Sequence, residues 1–285
     1  VRLEIEETAA LTFDDGSPVR AASAIAPFGD GWLVVQDDAT HAAWWRPGSV
    51  TPVRVVDPVD GLEVFSSAAG TKPFKPDFEA ACALPTGEVL LLGSGSSPAR
   101  MRASLVGPAG FTVLDVRPVC LAVAETLGLP EEHLNLEGAC LVGDRLRWFQ
   151  RGNAAAGVPT ASVDVEVAAL LSGRAEVRDP LRYDLGTVGG VALAVTDAVP
   201  LPDGRVLVSA AAEDTPNAVD DGPVVGSALA LLDGDAVTAV EIPGAEKVEG
   251  LAIRETSPDG IRLIAVVDAD DHEVPSRRLS LRLWW

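Results

Sequence analysis

Five polar residues recur along the chain at near-equal intervals: Ser23, Glu79, Glu137, Asp197 and Glu249, spaced by 56, 58, 60 and 52 residues. Four carboxylates and a hydroxyl brought to one place would raise each other's pKa and resist burial. A hard divalent cation removes that cost, and calcium accepts roughly six to eight oxygen ligands in flexible geometry. No Cys or His occupies these positions, which turns the reading away from zinc and copper. The five are expected to hold Ca2+, with Mg2+ or Mn2+ as second choices. The plainer alternative is that Glu-Gly and Glu-Ala open a strand, the carboxylate capping backbone amides of a neighbouring element.

A second set of residues lies near these anchors in sequence. Lys72, Lys75, Arg100 and Arg151 stand out in a chain with only 22 Lys plus Arg against 42 Asp plus Glu. Basic groups beside a metal are what a phosphate or carboxylate ligand requires. Alternatively, these cations pair with the surrounding carboxylates as a surface network. For proton transfer, Asp268 ends an apolar run and could activate water, and Asp38 has a comparable position. His272 and His41 are proton carriers by type, set in loops, whereas His133 reads as structural.

The elements that must position these groups form a repeat. Each anchor opens a short apolar strand, a tight turn follows, and a second apolar strand leads to a polar loop. The turns are Gly29-Asp30-Gly31, Thr86-Gly87, Gly143-Asp144, Asp203-Gly204 and Asp259-Gly260, all hairpin sequences. Third strands follow, as at Arg102 to Val106 and Ser227 to Leu231, and fourth strands, as at Val53 to Val56 and Val237 to Val240. The last repeat stops after its third strand, Leu279 to Trp285, and Leu3 to Glu6 at the other end would supply its fourth. The expected fold is all-β: a β-propeller of five four-stranded blades, one domain over residues 1–285, closed by the N-terminal strand. A sixth blade would need another repeat within 100–136 or 150–196. Those stretches hold instead an apolar run at Pro118 to Gly128 and another at Val165 to Gly173, read as short helices. First strands line the channel of a propeller, so the five anchors converge at one end of it.

Ser, Glu, Glu, Asp, Glu around five blades resembles the calcium-dependent apyrases, five-bladed propellers with a central calcium held by Ser and Glu of successive inner strands. The resemblance implies that Ser23, Glu79, Glu137 and Glu249 are calcium ligands. Asp197 departs from the pattern, standing where a Ser is implied. Glu-Gly-Leu-Ala at 249–252 and Asp-Ala-Asp-Asp at 268–271 also resemble bacterial phytase-like (esterase-like) propellers.

Composition narrows the partners. The 285 residues carry a formal charge of −20, and 47% are hydrophobic, too many for a disordered chain. That charge opposes binding to nucleic acid. No uncharged stretch approaches the roughly 18 apolar residues of a membrane helix, so no membrane partner is expected. The acidic opening VRLEIEE matches neither a signal nor a transit peptide. Three cysteines without a C-x-x-C pair fit a reducing cytoplasm, and Cys82 and Cys140, each three residues past an anchor, read as core positions. Gly93 to Ser97 precedes no helix and is no phosphate loop, and no G-x-S-x-G elbow occurs. Trp44-Trp45 and Trp284-Trp285 are expected to pack the first blade against the last.

The expectation is a monomeric, metal-dependent hydrolase acting on a small anionic molecule, a phosphoester or phosphoanhydride first. Alternatives are a lactonase or esterase, a binding propeller with structural calcium, and a metal-dependent lyase or isomerase.

Overall fold

Apolar runs broken by Gly-containing turns fold as antiparallel hairpins, and here the hairpins chain into five sheets. The computed structural model describes residues 1–215, 222–234, 236–244, 246–269, 271 and 273–285. Blade one comprises Ala22–Phe28, Gly31–Gln36, His41–Arg46 and Ser49–Arg54. Blade two comprises Phe78–Ala83, Val89–Gly93, Arg102–Gly107 and Gly110–Asp115. Blade three is built from Leu136–Val142, Arg145–Gln150, Thr160–Glu166 and Val177–Tyr183. Blade four holds Val191–Pro200, Val206–Glu213, Val224–Asp233 and Ala236–Ile242, with Thr187–Val188 added on its inner side. Blade five joins Lys247–Ser257, Gly260–Asp268 and Arg277–Trp284 to Arg2–Ala10 from the N-terminus. The protein is thus an all-β five-bladed propeller. Its closing strand pairs Leu3 with Leu283 and Ile5 with Leu281, so joining the termini keeps the ring shut.

Each gap between blades holds its own apolar core, because each sheet must bury both faces against its neighbours. Between blades two and three a helix, Arg117–Leu127, adds Val119, Cys120, Val123, Ala124 and Leu127 to that core. Pro118 sits in its first turn, and Gly128, at φ 68°, ends it. A second short helix, Val167–Leu171, follows the third strand of blade three. Both lie where apolar runs had excluded a sixth blade. Of the tryptophans expected at the closure only Trp45 packs there, with Arg278 of blade five over its ring at 4.9 Å; Trp44 packs on the core between blades one and two, and Trp285 is exposed beside Arg205. No helix among the described residues is long and apolar enough to cross a membrane.

One strand differs from the sequence reading. Blade one's fourth strand is Ser49–Arg54, not Val53 to Val56, because the Pro47-Gly48 turn reverses the chain immediately after Arg46. Val55 has left the ladder: its amide donates to the Thr40 carbonyl, and its carbonyl accepts from Ser104 of blade two.

Every first strand carries a register shift near its start: between Ala22 and Ala24, Phe78 and Ala80, Leu136 and Ala139, Val195 and Asp197, and Val248 and Gly250. The extra residue is Ser23, Glu79, Thr196 or Glu249, and in blade three the pair Glu137-Gly138. A bulge re-aims the side chain it carries, so the fold turns one polar residue per blade out of the ladder. The next position is small in four blades: Ala24, Ala80, Gly138 and Gly250. Gly138 allows the first strand of blade four to approach so closely that a Cβ there would lie 2.7 Å from Asp197 Cα.

Candidate functional site

The bulges open on a cavity of about 660 Å³ at one end of the channel, within the range of small-molecule sites. Ser23, Glu79, Glu137 and Glu249 all line it. Asp197 does not: it is 1% exposed, and its Oδ2 accepts the Leu251 amide at 2.7 Å. Register explains the difference. The bulge residue of blade four is Thr196, whose Oγ1 donates to the Val248 carbonyl at 2.7 Å. Ser23 Oγ likewise donates to the Phe78 carbonyl at 2.6 Å. Each hydroxyl reaches the carbonyl just before the next blade's bulge, so Thr196 is the counterpart of Ser23.

A second tier of residues stands immediately outside the bulges, where each first strand meets the end of the second. In blade one these are Ala21 and Asp37, in blade two Asp77 and Ser94, and in blade three Asn135 and Arg151, each pair joined by a backbone hydrogen bond of 2.8–3.1 Å. Blade five pairs Lys247 with Asp268, and blade four pairs only Ala194 with Ala211. Charge is therefore concentrated on every blade but the fourth.

Ion pairs knit this tier together. Lys75 Nζ contacts Asp37, lies 2.7 Å from Asp77 Oδ1 and 3.9 Å from Glu79 Oε1. Asp77, 2% exposed and held at φ 59°, also receives Arg100 Nη1 at 3.2 Å and the Ser94 hydroxyl. Arg151 bridges Glu137 Oε1, at 2.9 Å, to Glu213, and Lys247 lies 3.2 Å from Glu249. The lining counts six carboxylates (Asp37, Asp77, Glu79, Glu137, Glu249 and Asp268) against five cations (Lys72, Lys75, Arg100, Arg151 and Lys247), so the cavity is close to self-neutralised. The cations singled out in sequence do converge, and Lys75, Arg100 and Arg151 are paired with surrounding acids.

These surroundings shift the titrations. Burial would lower the Lys75 ammonium, but Asp37, Asp77 and Glu79 outweigh it and hold its pKa well above the usual lysine range. Burial raises Asp77 too, yet Lys75 and Arg100 bring it below the ordinary carboxylate value. Glu79 goes well up through burial and the charges of Asp37 and Asp77. Burial pushes Glu137 up to about 7, with Arg151 opposing and Glu249 adding to the rise. Glu137 Oε1 is fixed by Arg151 and by Asn135 Nδ2 at 3.0 Å, while its Oε2, also buried, has no hydrogen-bond partner among the described residues.

The proton-transfer candidates scatter. Asp268 lines the cavity and also a smaller neighbour of about 180 Å³. Asp38 lines only that neighbour, 4% exposed and paired with Arg20 at 3.2 Å. His272 lies outside the described residues. His41 begins a third strand and faces a separate cavity beside Phe13, 5.7 Å away, not the channel mouth. Cys82 and Cys140 are buried free thiols, their pKa values raised by burial, Cys82 to about 12.

Asp37, Asp77 and Glu79 offer carboxylate oxygens that all lie within 4.8 Å of one another, close enough to share a divalent cation. This cluster overlaps the expected metal set only at Glu79. Sequence reasoning did not single out Lys247 or Thr196. The signal for Lys247 was its place two residues before Glu249, matching Asp77 before Glu79 and Asn135 before Glu137.

Solved structures share this architecture at low identity. A hypothetical protein from Leishmania major is 14% identical, with a TM-score of 0.51 over 98% of this chain and 91% of its own. MPT-4, a mannose phosphorylase from Leishmania mexicana in complex with a phosphate ion, is 15% identical, with a TM-score of 0.51 over 97% and 88%. A gluconolactonase from Xanthomonas campestris is 12% identical, with a TM-score of 0.38 over 97% and 74%. For the two Leishmania proteins, at such identities, the likeness is one of fold. No curated protein matches the sequence. A family of unknown function, DUF6929, matches residues 18–283, nearly the whole propeller, and the chain belongs to that family.

Proposed function

We propose that the channel mouth hydrolyses a small carboxylic ester or lactone. The observation that carries this is Glu137, a residue of the cavity wall: one oxygen is held by Arg151 and Asn135, and the other, buried, has no hydrogen-bond partner among the described residues. A carboxylate fixed in this way, with a pKa near 7, suits a general base at neutral pH. It takes a proton from water as the water oxygen attacks the carbonyl carbon. Among the described residues Arg100 engages Asp77 and Ser96 through Nη1, and its other N–H groups can meet the oxyanion. As the C–O bond breaks, the leaving alkoxide receives the proton from Glu137, giving acid and alcohol.

The charge balance favours a neutral substrate over a phosphate. A phosphoester dianion needs several uncommitted cations, and at this mouth Lys75, Arg151 and Lys247 are engaged by carboxylates. Calcium-assisted cleavage of an anionic ester is the second reading, favoured by the Asp37, Asp77 and Glu79 cluster. Its donors are hard oxygens and suit the ion, but the Lys75 ammonium already stands among them, so no step above uses a metal. The buried, unpaired thiols fit a reducing compartment such as the cytoplasm.

The test is a panel of γ- and δ-lactones and short-chain nitrophenyl esters. Activity should rise with pH through about 7 as Glu137 ionises. Glu137→Gln should lower kcat by roughly 10²- to 10⁴-fold with little change in KM. A wild-type protein that hydrolyses none of the panel, or an unimpaired Glu137→Gln variant, would overturn the reading.

A further inference from the structure

We propose that Lys75 is the built-in cation of the channel mouth, its ammonium standing where the carboxylate cluster would otherwise take a divalent ion. The folded protein then needs no metal there, and removing the lysine uncovers a latent hard-cation site. This inference concerns binding and holds whether or not the cavity is hydrolytic.

The geometry is specific. Lys75 Nζ makes an ion pair with Asp37 and approaches Asp77 Oδ1 at 2.7 Å and Glu79 Oε1 at 3.9 Å. Those are the same three carboxylates that lie within 4.8 Å of one another, the one such group among the described residues. An ammonium carries three donors and no acceptor, so it can serve three acidic partners at once. Its side chain is only 13% exposed, which places the charge inside the wall rather than over it. A divalent ion bound to the same oxygens would sit beside the ammonium, and two cations at that separation repel strongly in a partly desolvated site. Metal entry therefore requires Lys75 to leave.

The surroundings make the arrangement complete. Asp77 is fixed from three sides, by Lys75, by Arg100 at 3.2 Å and by the Ser94 hydroxyl, so the cluster is organised without an ion. Lys75 follows a single 3-10 turn, Lys72–Phe74, and precedes Pro76, in the connection between blades one and two. It therefore enters the cluster from outside the strands. The other anchor carboxylates at the mouth have their own cations, Arg151 on Glu137 and Lys247 on Glu249. Ion pairing throughout replaces the single shared ion that a ring of carboxylates alone would demand.

The experiment is calorimetric titration of chelator-stripped protein with CaCl2 and MgCl2, with melting temperature read in parallel. Wild type is expected to show no saturable binding below about 1 mM, the weak end of protein calcium sites, and no change of Tm with chelator. Lys75→Met, similar in length and uncharged, is expected to bind one calcium at least about tenfold more tightly than that limit, with Tm rising as the ion is added. Stoichiometric calcium binding by wild type, with a Tm lowered by chelator, would overturn the proposal. So would a folded Lys75→Met variant that ignores both ions. If Lys75→Met does not fold without metal, refolding is compared in calcium and in chelator. Recovery in calcium alone supports the latent site, and equal recovery in both refutes it. If neither recovers it, Lys75→Met with Asp37→Asn, which removes one uncompensated charge, is put through the same comparison and judged by the same outcomes. No arm reads catalysis, so failure here leaves the hydrolase test standing, and the reverse.

Discussion

Blades three and four solve the same local problem in opposite ways. Each first strand must turn one polar residue out of its ladder. In blade four that residue is Thr196, whose hydroxyl meets the Val248 carbonyl and the Ser209 hydroxyl, flanked by Ala194 and Ala211. In blade three it is Glu137, held by Asn135 and by an arginine that also binds Glu213 of blade four. Ser23 in blade one repeats the hydroxyl solution. A neutral staple thus suffices to join neighbouring inner strands. The charged groups of blades two, three and five exceed what the fold needs, and that excess is what motivates the site proposed at the mouth.

The contrast breaks most easily at Arg151. Its partners have side chains only 6% and 5% exposed, so Arg151→Ala strands two buried carboxylates and should cost about 3–5 kcal/mol in urea unfolding. The loss carries a pH signature. A carboxyl whose folded pKa lies above its unfolded value weighs on the fold only when charged. For Glu137 that burden is absent below about 4.5 and complete above about 7. Arg151 lowers that folded pKa, so its loss is felt only where wild-type Glu137 is charged: the Glu137 share of the Arg151→Ala defect should be small below pH 7 and grow as pH rises above it. A defect below about 1 kcal/mol at every pH would mean that the charges of blade three are solvated like surface pairs.

Most of the ring was legible in the sequence because turn residues and apolar runs report hairpins directly. Five anchors fixed the number of blades, and the missing fourth strand at Leu279 to Trp285 pointed to Leu3 to Glu6. Four of the five anchors reached the cavity. Asp197 did not: aligning Leu84-Pro85-Thr86-Gly87 with Leu201-Pro202-Asp203-Gly204 sets Thr196 opposite Glu79, and the carboxylate of Asp197 drew the reading one residue too far. The pairing of charges was less accessible. Lys75 and Asp37 are 38 residues apart, and Arg151 and Glu213 are 62 apart. Such partners meet only where neighbouring blades pack side by side, and local pattern shows each residue but not its neighbour.

The smallest expected effects test the neutral half of the comparison. Thr196→Val keeps the shape of the side chain and removes the hydroxyl, leaving the Val248 carbonyl and Ser209 short of a partner at a site 1% exposed. The cost should be about 1–3 kcal/mol, the range for stranding a buried polar group. Ser23→Ala removes the matching bond to Phe78, but Ser23 lies in the wall of the cavity, where water can take the vacated position. Its cost should fall to about 0.5–1.5 kcal/mol. Unfolding curves of the two variants side by side decide the point. If Ser23→Ala proves the more damaging, the cavity wall is drier than its charged lining implies, and hydroxyl staples at the mouth act as fully buried bonds.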